Sequence, residues 1–392
     1  MKIKIKKQAA RKMMSGYPLI IEGDLVKTQD QLKTKEWHQF VTDSGQFIGT
    51  GYLGKQNKGV GWVVSQNENT KMDEAFFTQL FSKAGEKRQQ FADNELTNAY
   101  RLFNGEGDGL GGMTVDIYAD FAVVSWYNET INTFKTVLIA ALVQAFPMIK
   151  GIYEKNRFEQ TGLPETQLIY GQEAPEPLLV KENGVSFATY LNEGMMTGIF
   201  LDQKHVRGRL ADGLASGLDV LNTFSYTGAF SVAAAMGGAA STVSVDLAKR
   251  SLEKTKEMFD INQLSLDNNK IVVMDIFDYI RYANRKELAF DMVILDPPGF
   301  ARNKKRTFSV VKNYGELVAE VTPLIRTDGY LIASTNVANL PYDKFKEMVE
   351  DGIRSEGRRF KKVEEYRLPS DYVTASSFKE GNYLKVLIYQ IF

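Results

Sequence analysis

The sequence predicts an α/β chain with a doubly wound parallel sheet in its C-terminal half, preceded by a small β-barrel and a middle α+β domain. Three observations carry this. From about residue 215 short apolar runs alternate with segments of helical period, as serial βα units in a parallel sheet do. Four successive runs end in Asn222, Asp246, Asp275 and Asp296, and open α/β sheets bind ligands at the carboxyl ends of their strands. Residues 1–70 instead hold short β-rich runs separated by glycine turns, which suits a barrel.

Taken in order, strands at 18–21, 37–42, 46–53 and 60–65 build the barrel, assigned to residues 1–70. The middle domain, 71–176, opens with a helix at 73–91. Strands at 114–118 and 122–126, an amphipathic helix at about 130–146 and a strand at 151–154 follow. Pro164, Pro175 and Pro177 mark 161–177 as a linker. The last domain, 177–392, begins with a hairpin, because Asn183-Gly184 between two apolar runs supplies the positive φ angles of a tight turn. Strands at 218–223, 242–246, 271–274, 291–295 and 329–334 alternate with helices at 228–236, 247–260, 276–284 and 313–325. A helix at 343–355 and strands near 360–367 and 383–391 complete the sheet.

A chain of 392 residues exceeds one ordinary core. Its composition is that of a soluble globular protein, without a run of ~20 apolar residues or a signal-peptide core, so a cytoplasmic location without membrane contact is expected. There is no cysteine, which excludes disulfides, thiolate metal sites and a cysteine nucleophile. The two histidines, His38 and His205, stand in no metal-ligand spacing, and no metal is expected. Lysines and arginines number 48, as do the acids, so any contact with nucleic acid must be local. Two basic clusters qualify. Lys2, Lys4, Lys6, Lys7, Arg11 and Lys12 precede the first acid, Glu22, while Arg302, Lys304, Lys305 and Arg306 follow the loop after the fourth strand. A solvated face is the competing reading of such a run.

That loop, Asp296-Pro297-Pro298-Gly299-Phe300, holds the densest chemistry. Pro297 and Pro298 stop the chain rigidly at the strand end, Asp296 can accept hydrogen bonds from a base amino or ring N–H, and Phe300 can stack on a base at about 1–3 kcal/mol. An ordinary turn is the alternative. After the first strand, Asn222-Thr223-Phe224-Ser225-Tyr226-Thr227-Gly228 matches a dinucleotide fingerprint only at Gly228. A ligand without phosphates, such as S-adenosylmethionine, needs less glycine and a helix N-terminus near its carboxylate. Asp246 can accept both ribose hydroxyls, and Asp275 stands where an adenine amino group would lie; a helix N-cap is the alternative for each.

These residues, with Thr197-Gly198-Ile199-Phe200-Leu201-Asp202-Gln203, closely resemble the class I S-adenosylmethionine-dependent methyltransferases of large-subunit (23S) ribosomal RNA that carry an N-terminal PUA domain. Gly105-Glu106-Gly107-Asp108-Gly109-Leu110 matches the signature of their middle domain, and only Met13-Met14-Ser15-Gly16-Tyr17-Pro18 follows the family loosely. The resemblance implies a PUA-like RNA-binding barrel, a central α+β domain and a Rossmann-like methyltransferase domain, with S-adenosylhomocysteine as coproduct and ribosomal RNA as partner. It implies that Phe200, Asp202, Gln203 and Arg207 line the cofactor site with Asn222, Phe224, Ser225, Tyr226, Thr227, Gly228, Asp246, Asp275 and Asp296. Arg207 would pair with the cofactor carboxylate, a surface salt bridge being the alternative. A monomer and a homodimer both remain open.

Carbon 5 of a pyrimidine is methylated only after a nucleophile adds at carbon 6. Members that make 5-methylcytosine place a cysteine after the fifth strand, where this chain reads Ala333-Ser334-Thr335-Asn336-Val337. Neither Thr335 nor Asn336 is a substitute at neutral pH. The segment resembles the Ser-Asn-Asn of relatives that methylate guanine N7, a nitrogen with its own lone pair. Asp296 and Asn336 would then hold the guanine N1–H and amino edge while Phe300 stacks. An exocyclic amino group is a second acceptor. A catalytically silent protein that binds S-adenosylmethionine and RNA, and a DNA or small-molecule methyltransferase, are the alternatives.

Overall fold

The computed structural model describes residues 2–26, 35–159, 162–302 and 306–392. Two compact units emerge. The first comprises Met1–Leu178, Thr189–Thr197 and Ser370–Gly381, the second Leu179–Ala188, Gly198–Pro369 and Asn382–Phe392.

In the first unit, strands Lys2–Lys4, Trp37–Val41, Phe47–Gln56, Gly59–Ser65 and Leu19–Ile21 form one sheet in that order. Helix Lys7–Met14 beside it has no counterpart among the expected elements. The lysine run conceals its period: Ala9, Ala10 and Met13 are buried while Lys7, Gln8, Arg11 and Lys12 are exposed. A second sheet orders Thr166–Gly171, Gly151–Asn156, Phe121–Trp126, Met113–Tyr118 and Ala99–Asn104. Thr166–Gly171 lies in the segment expected to be linker. The prolines flank this edge strand rather than interrupt it, so the ladder survives. Tyr52 and Trp62 of the first sheet share an apolar cluster with Phe81, Phe103 and Trp126. The Gly105–Asp108 turn closes around buried Arg88, whose guanidinium donates to both carboxylate oxygens of Asp108 and to the Asp371 carbonyl.

The second unit is a seven-stranded sheet in the order Asn269–Val273, Ser241–Asp246, Asp219–Thr223, Phe290–Leu295, Ile325–Thr335, Lys385–Ile391, Phe360–Tyr366. The first five are parallel, and Lys385–Ile391 runs antiparallel to both neighbours. Leu221, Val293 and Leu331 are fully buried, which explains why central strands read as near-continuous apolar runs. Helices Ala229–Met236, Arg250–Ile261, Ile276–Arg285, Val310–Val321 and Tyr342–Ser355 make the intervening crossovers. Chain order reverses between Asp219–Thr223 and Phe290–Leu295, whose ends are registered as Thr223 opposite Leu295. Those two residues therefore stand at the topological switch point, the place where open sheets bind ligands. A short hairpin, Phe300–Arg302 with Thr307–Ser309, extends the loop beyond Asp296. Among the described residues no helix is long and apolar enough to cross a membrane.

Candidate active site

Two loops at the switch point build the site. In the first, Phe224, Tyr226 and Gly228 all have positive φ, at 52°, 53° and 75°. For the two aromatic residues this conformation costs of order 1–3 kcal/mol each, so the surroundings must hold it. They do: the Ser225 N–H donates to the Val245 carbonyl at 3.0 Å, the Tyr226 N–H to Asp246 Oδ2 at 2.8 Å and the Thr227 hydroxyl to the Gly198 carbonyl at 2.8 Å. Gly228 caps helix Ala229–Met236, and a Cβ there would stand 2.5 Å from Thr255 Cγ2, so only glycine fits. Asn222 lies beneath this loop, its amide donating to Ser231 Oγ at 3.0 Å while its Oδ1 is buried without a partner among the described residues. Asp246 Oδ1 also accepts the Ala248 N–H at 2.8 Å. Each oxygen keeps a free lone pair, so the carboxylate can still accept hydroxyls. Phe200 packs on Tyr226 with centroids 5.4 Å apart and stays exposed. Leu247, exposed directly after Asp246, offers an apolar wall that the sequence reading passed over.

The second loop centres on part-buried Asp296. Gln203 Nε2 donates to Asp296 Oδ1 at 3.3 Å and to Ser334 Oγ at 2.7 Å, and Gln203 Oε1 is buried without a partner among the described residues. Burial pushes the Asp296 carboxyl up to about 6; the Ser334 hydroxyl opposes this, the Asp202 charge adds to it, and Arg207 and Gln203 oppose it. Asp202 in turn accepts from the Tyr383 hydroxyl at 2.9 Å. Pro297 is buried, and Phe300, 61% exposed, presents its ring beyond the prolines. Buried Tyr314 lies within hydrogen-bonding distance of the Leu295 carbonyl (3.1 Å) and the Ser334 carbonyl (3.0 Å), tying the ends of the fourth and fifth strands together. Lys385, registered opposite Thr335, donates to the carbonyls of Val337 (2.9 Å) and Tyr383 (2.6 Å), and burial pushes its amine down to about 8, with Arg367 adding. Tyr314, Ser334 and Lys385 were missed because their partners are carbonyls and side chains far away in sequence.

Other expected residues fall elsewhere. Arg207 is 3% exposed and donates Nε and Nη2 to the two Glu182 oxygens at 2.6 and 2.8 Å, with Nη2 also reaching the Phe200 carbonyl at 2.7 Å. It is neither a surface pair nor, through these nitrogens, open to a ligand carboxylate; it supports Phe200 from below. Asp275 is the N-cap of Ile276–Arg285, accepting from Phe277 (3.0 Å) and Asp278 (3.3 Å), which is the alternative the sequence allowed. Asn336 is exposed just past the fifth strand. Of the second basic cluster, Arg302 is exposed, but Arg306 pairs with Glu320 at 2.6 Å and lies over the Phe277 ring, so it stabilises structure instead of offering a free charge. Lys304 and Lys305 lie outside the described residues. In the first cluster Lys4, Lys7, Arg11 and Lys12 are exposed, while the Lys6 amine donates to the Gly23 carbonyl at 2.8 Å.

A family model of S-adenosylmethionine-dependent methyltransferases matches residues 165–383, and one of PUA-like domains matches residues 3–66. A Bacillus subtilis (strain 168) protein, YwbD, provisionally named a ribosomal RNA large subunit methyltransferase, is 46% identical over 389 residues, 98% of each chain. Ribosomal RNA large subunit methyltransferase I of Yersinia pseudotuberculosis (strain IP 31758) is 30% identical over 96% of this chain and 95% of its own. Among solved structures, SMU.776, provisionally described as a methyltransferase and complexed with SAH, superposes with a TM-score of 0.93 at 43% identity over 100% of both chains.

Proposed function

The chain belongs to the S-adenosylmethionine-dependent large-subunit ribosomal RNA methyltransferases, and from that premise we propose that it methylates a base nitrogen, guanine N7 first, without a covalent adduct. The observation that carries this reading is a complete Asp296 cluster in a chain that has no cysteine to add to a pyrimidine. A substrate of this kind puts the reaction in the cytoplasm.

The residues present fit the cofactor: a helix head opened by Gly228, an Asp246 carboxylate with lone pairs to spare, and buried acceptors at Asn222 and Gln203 that have no partner among the described residues. Bound S-adenosylmethionine supplies an electrophilic methyl group on a sulfonium. The chain's own work is to hold the acceptor. Phe300 stacks on the base, Asp296 accepts its N–H edge, and Asn336 adds a polar contact at the rim. Aligning the reacting atoms can supply roughly 7–11 kcal/mol of a barrier. At pH 7 a carboxyl with its midpoint near 6 is mostly ionised and can accept those bonds. With Asp202 it makes the site negative, which favours the cation that N7 methylation creates. The raised Asp296 also supports a second reading, transfer to an exocyclic amino group, where the same carboxylate would take the released proton. Lys4, Lys7, Arg11, Lys12 and Arg302 are the exposed cations offered to RNA phosphates.

The test is nucleoside mass mapping of large-subunit ribosomal RNA after reaction with purified protein and labelled cofactor. A new 7-methylguanosine, or failing that an N-methylated amino group, is expected; methyl on carbon 5 of cytosine or uracil would overturn the proposal.

A further inference from the structure

Resting on base methylation at the Asp296 loop, we infer that Lys385 is a positioning residue for that reaction, its ammonium fastening the turn that carries Asn336 and the tyrosine that holds Asp202. Lys385 opens the strand Lys385–Ile391 opposite Thr335, the last residue of Ile325–Thr335. Leu295 lies opposite Ala333 on the other side of that strand, so Lys385, Asn336 and Asp296 share one edge of the sheet.

Lys385 is 3% exposed, and buried cations ordinarily meet a carboxylate, as Arg88 meets Asp108 and Arg207 meets Glu182. Among the described residues Lys385 has no acidic partner; its amine donates to the carbonyls of Val337 at 2.9 Å and Tyr383 at 2.6 Å. A methionine would fill similar space without desolvating a charge, so the ammonium is explained by what those carbonyls hold.

Both carbonyls belong to segments of the candidate site. Val337 directly follows Asn336. Its N–H donates to Thr335 Oγ1 at 3.2 Å and its carbonyl also accepts the Leu340 N–H at 3.2 Å, so Lys385 completes the bonding of the turn that presents Asn336. The Val337 side chain backs the other loop: a Cβ on Gly299 would stand 3.0 Å from Val337 Cγ2, and Gly299 precedes Phe300. The Tyr383 hydroxyl donates to Asp202 Oδ2 at 2.9 Å, beside Gln203, which donates to Asp296.

The charge sets the strength of this hold, because bonds from an ammonium are roughly twice as strong as those from a neutral amine. Burial, with Arg367 adding, pushes the amine down to about 8, so the hold weakens at mildly alkaline pH. The other titratable groups around it are engaged with one another. On the adjoining strand Glu364 pairs with Arg209, Glu365 with Lys362, and Tyr366 gives its hydroxyl to Glu364. Tyr342 gives its hydroxyl to Glu365 and lies under Arg367, and the Tyr314 hydroxyl meets the Leu295 and Ser334 carbonyls. The turn 335–340 carries no titratable side chain.

The experiment measures single-turnover methyl transfer from saturating S-adenosylmethionine to transcribed large-subunit ribosomal RNA, between about pH 6.5 and about pH 9. The unaltered protein should lose rate above about 8, and Lys385→Arg, charged throughout, should show no such loss whatever its absolute rate. Lys385→Met should transfer up to about 100-fold more slowly, with KM for the RNA changed less than about threefold, since alignment rather than binding is lost. The base is common to all variants, so only differences between them count. A purely structural lysine would alter the melting temperature and leave the rate and pH profile of the folded variants as in the unaltered protein, which overturns the inference. If Lys385→Met does not fold, the arginine variant decides by its alkaline profile. An unaltered protein whose rate holds above about 8 overturns the inference by itself and leaves the methyltransferase reading standing. If the unaltered protein methylates no ribosomal RNA, that reading falls and this inference with it.

Discussion

Replacing Asp296 by asparagine should make the protein more stable near neutral pH and inactive at once. Burial pushes this carboxyl from 3.8 to about 6, so the folded state holds a proton that the unfolded chain has already released. The sign follows. Well below pH 3.8 both states are protonated and the site costs nothing. As pH rises toward 6 the charged form must be accommodated in the fold, and stability is lost. A shift of about two units corresponds to about 3 kcal/mol, fully expressed above pH 7. Asparagine keeps an oxygen to accept from Gln203 Nε2 and carries no charge, so it escapes the penalty. About 2 kcal/mol of this accrues between pH 4.5 and pH 7.5, so at about 2–4 °C per kcal/mol for a unit of 150–250 residues its melting advantage should grow by roughly 4–8 °C over that range. Calorimetric melts of both proteins across that range, with methyl transfer measured beside them, make the assay. An advantage that does not change with pH, or a less stable variant at pH 7.5, would refute the claim that Asp296 is held charged against its burial.

The remaining predictions are simpler to read. Asp246→Ala should lower S-adenosylmethionine affinity by about 1.5–3 kcal/mol, measured by titration calorimetry, with the fold retained. Arg207→Met should destabilise by about 3–5 kcal/mol in denaturant melts, because Glu182 is left buried and unpaired. Arg302→Glu should weaken RNA binding and flatten its salt dependence by about one counterion. Arg306→Glu should chiefly lower the melting temperature, since that side chain already pairs with Glu320 and covers Phe277.

What was legible in the sequence was whatever local period or punctuation reports. Buried parallel strands leave apolar runs, their ends leave acids and asparagines, and Asn183-Gly184 leaves a hairpin with φ of 51° and 79°. Helix Lys7–Met14 escaped because Lys7, Arg11 and Lys12 on its polar face merge with the lysine run before them and only three positions are buried. The Phe300–Arg302 hairpin escaped because three-residue strands carry too little pattern. Pairing across long separations was illegible in principle. Nothing near Arg207 announces that Glu182, on the Leu178–Glu182 strand, takes its guanidinium, or that Tyr383 meets the Asp202 carboxylate and Ser334 the Gln203 amide. Residue types at strand ends pointed to the candidate site; the fold alone decided which of them hold each other.

The most direct measurement asks which atom receives the methyl group. Purified protein, labelled S-adenosylmethionine and large-subunit ribosomal RNA are combined, and the RNA is digested for nucleoside mass analysis; a parallel reaction uses RNA carrying 5-fluorocytosine. With no cysteine in the chain, no covalent protein–RNA adduct should form, and the label should appear on nitrogen, in 7-methylguanosine first. A trapped adduct, or label on carbon 5 of a pyrimidine, would contradict the account.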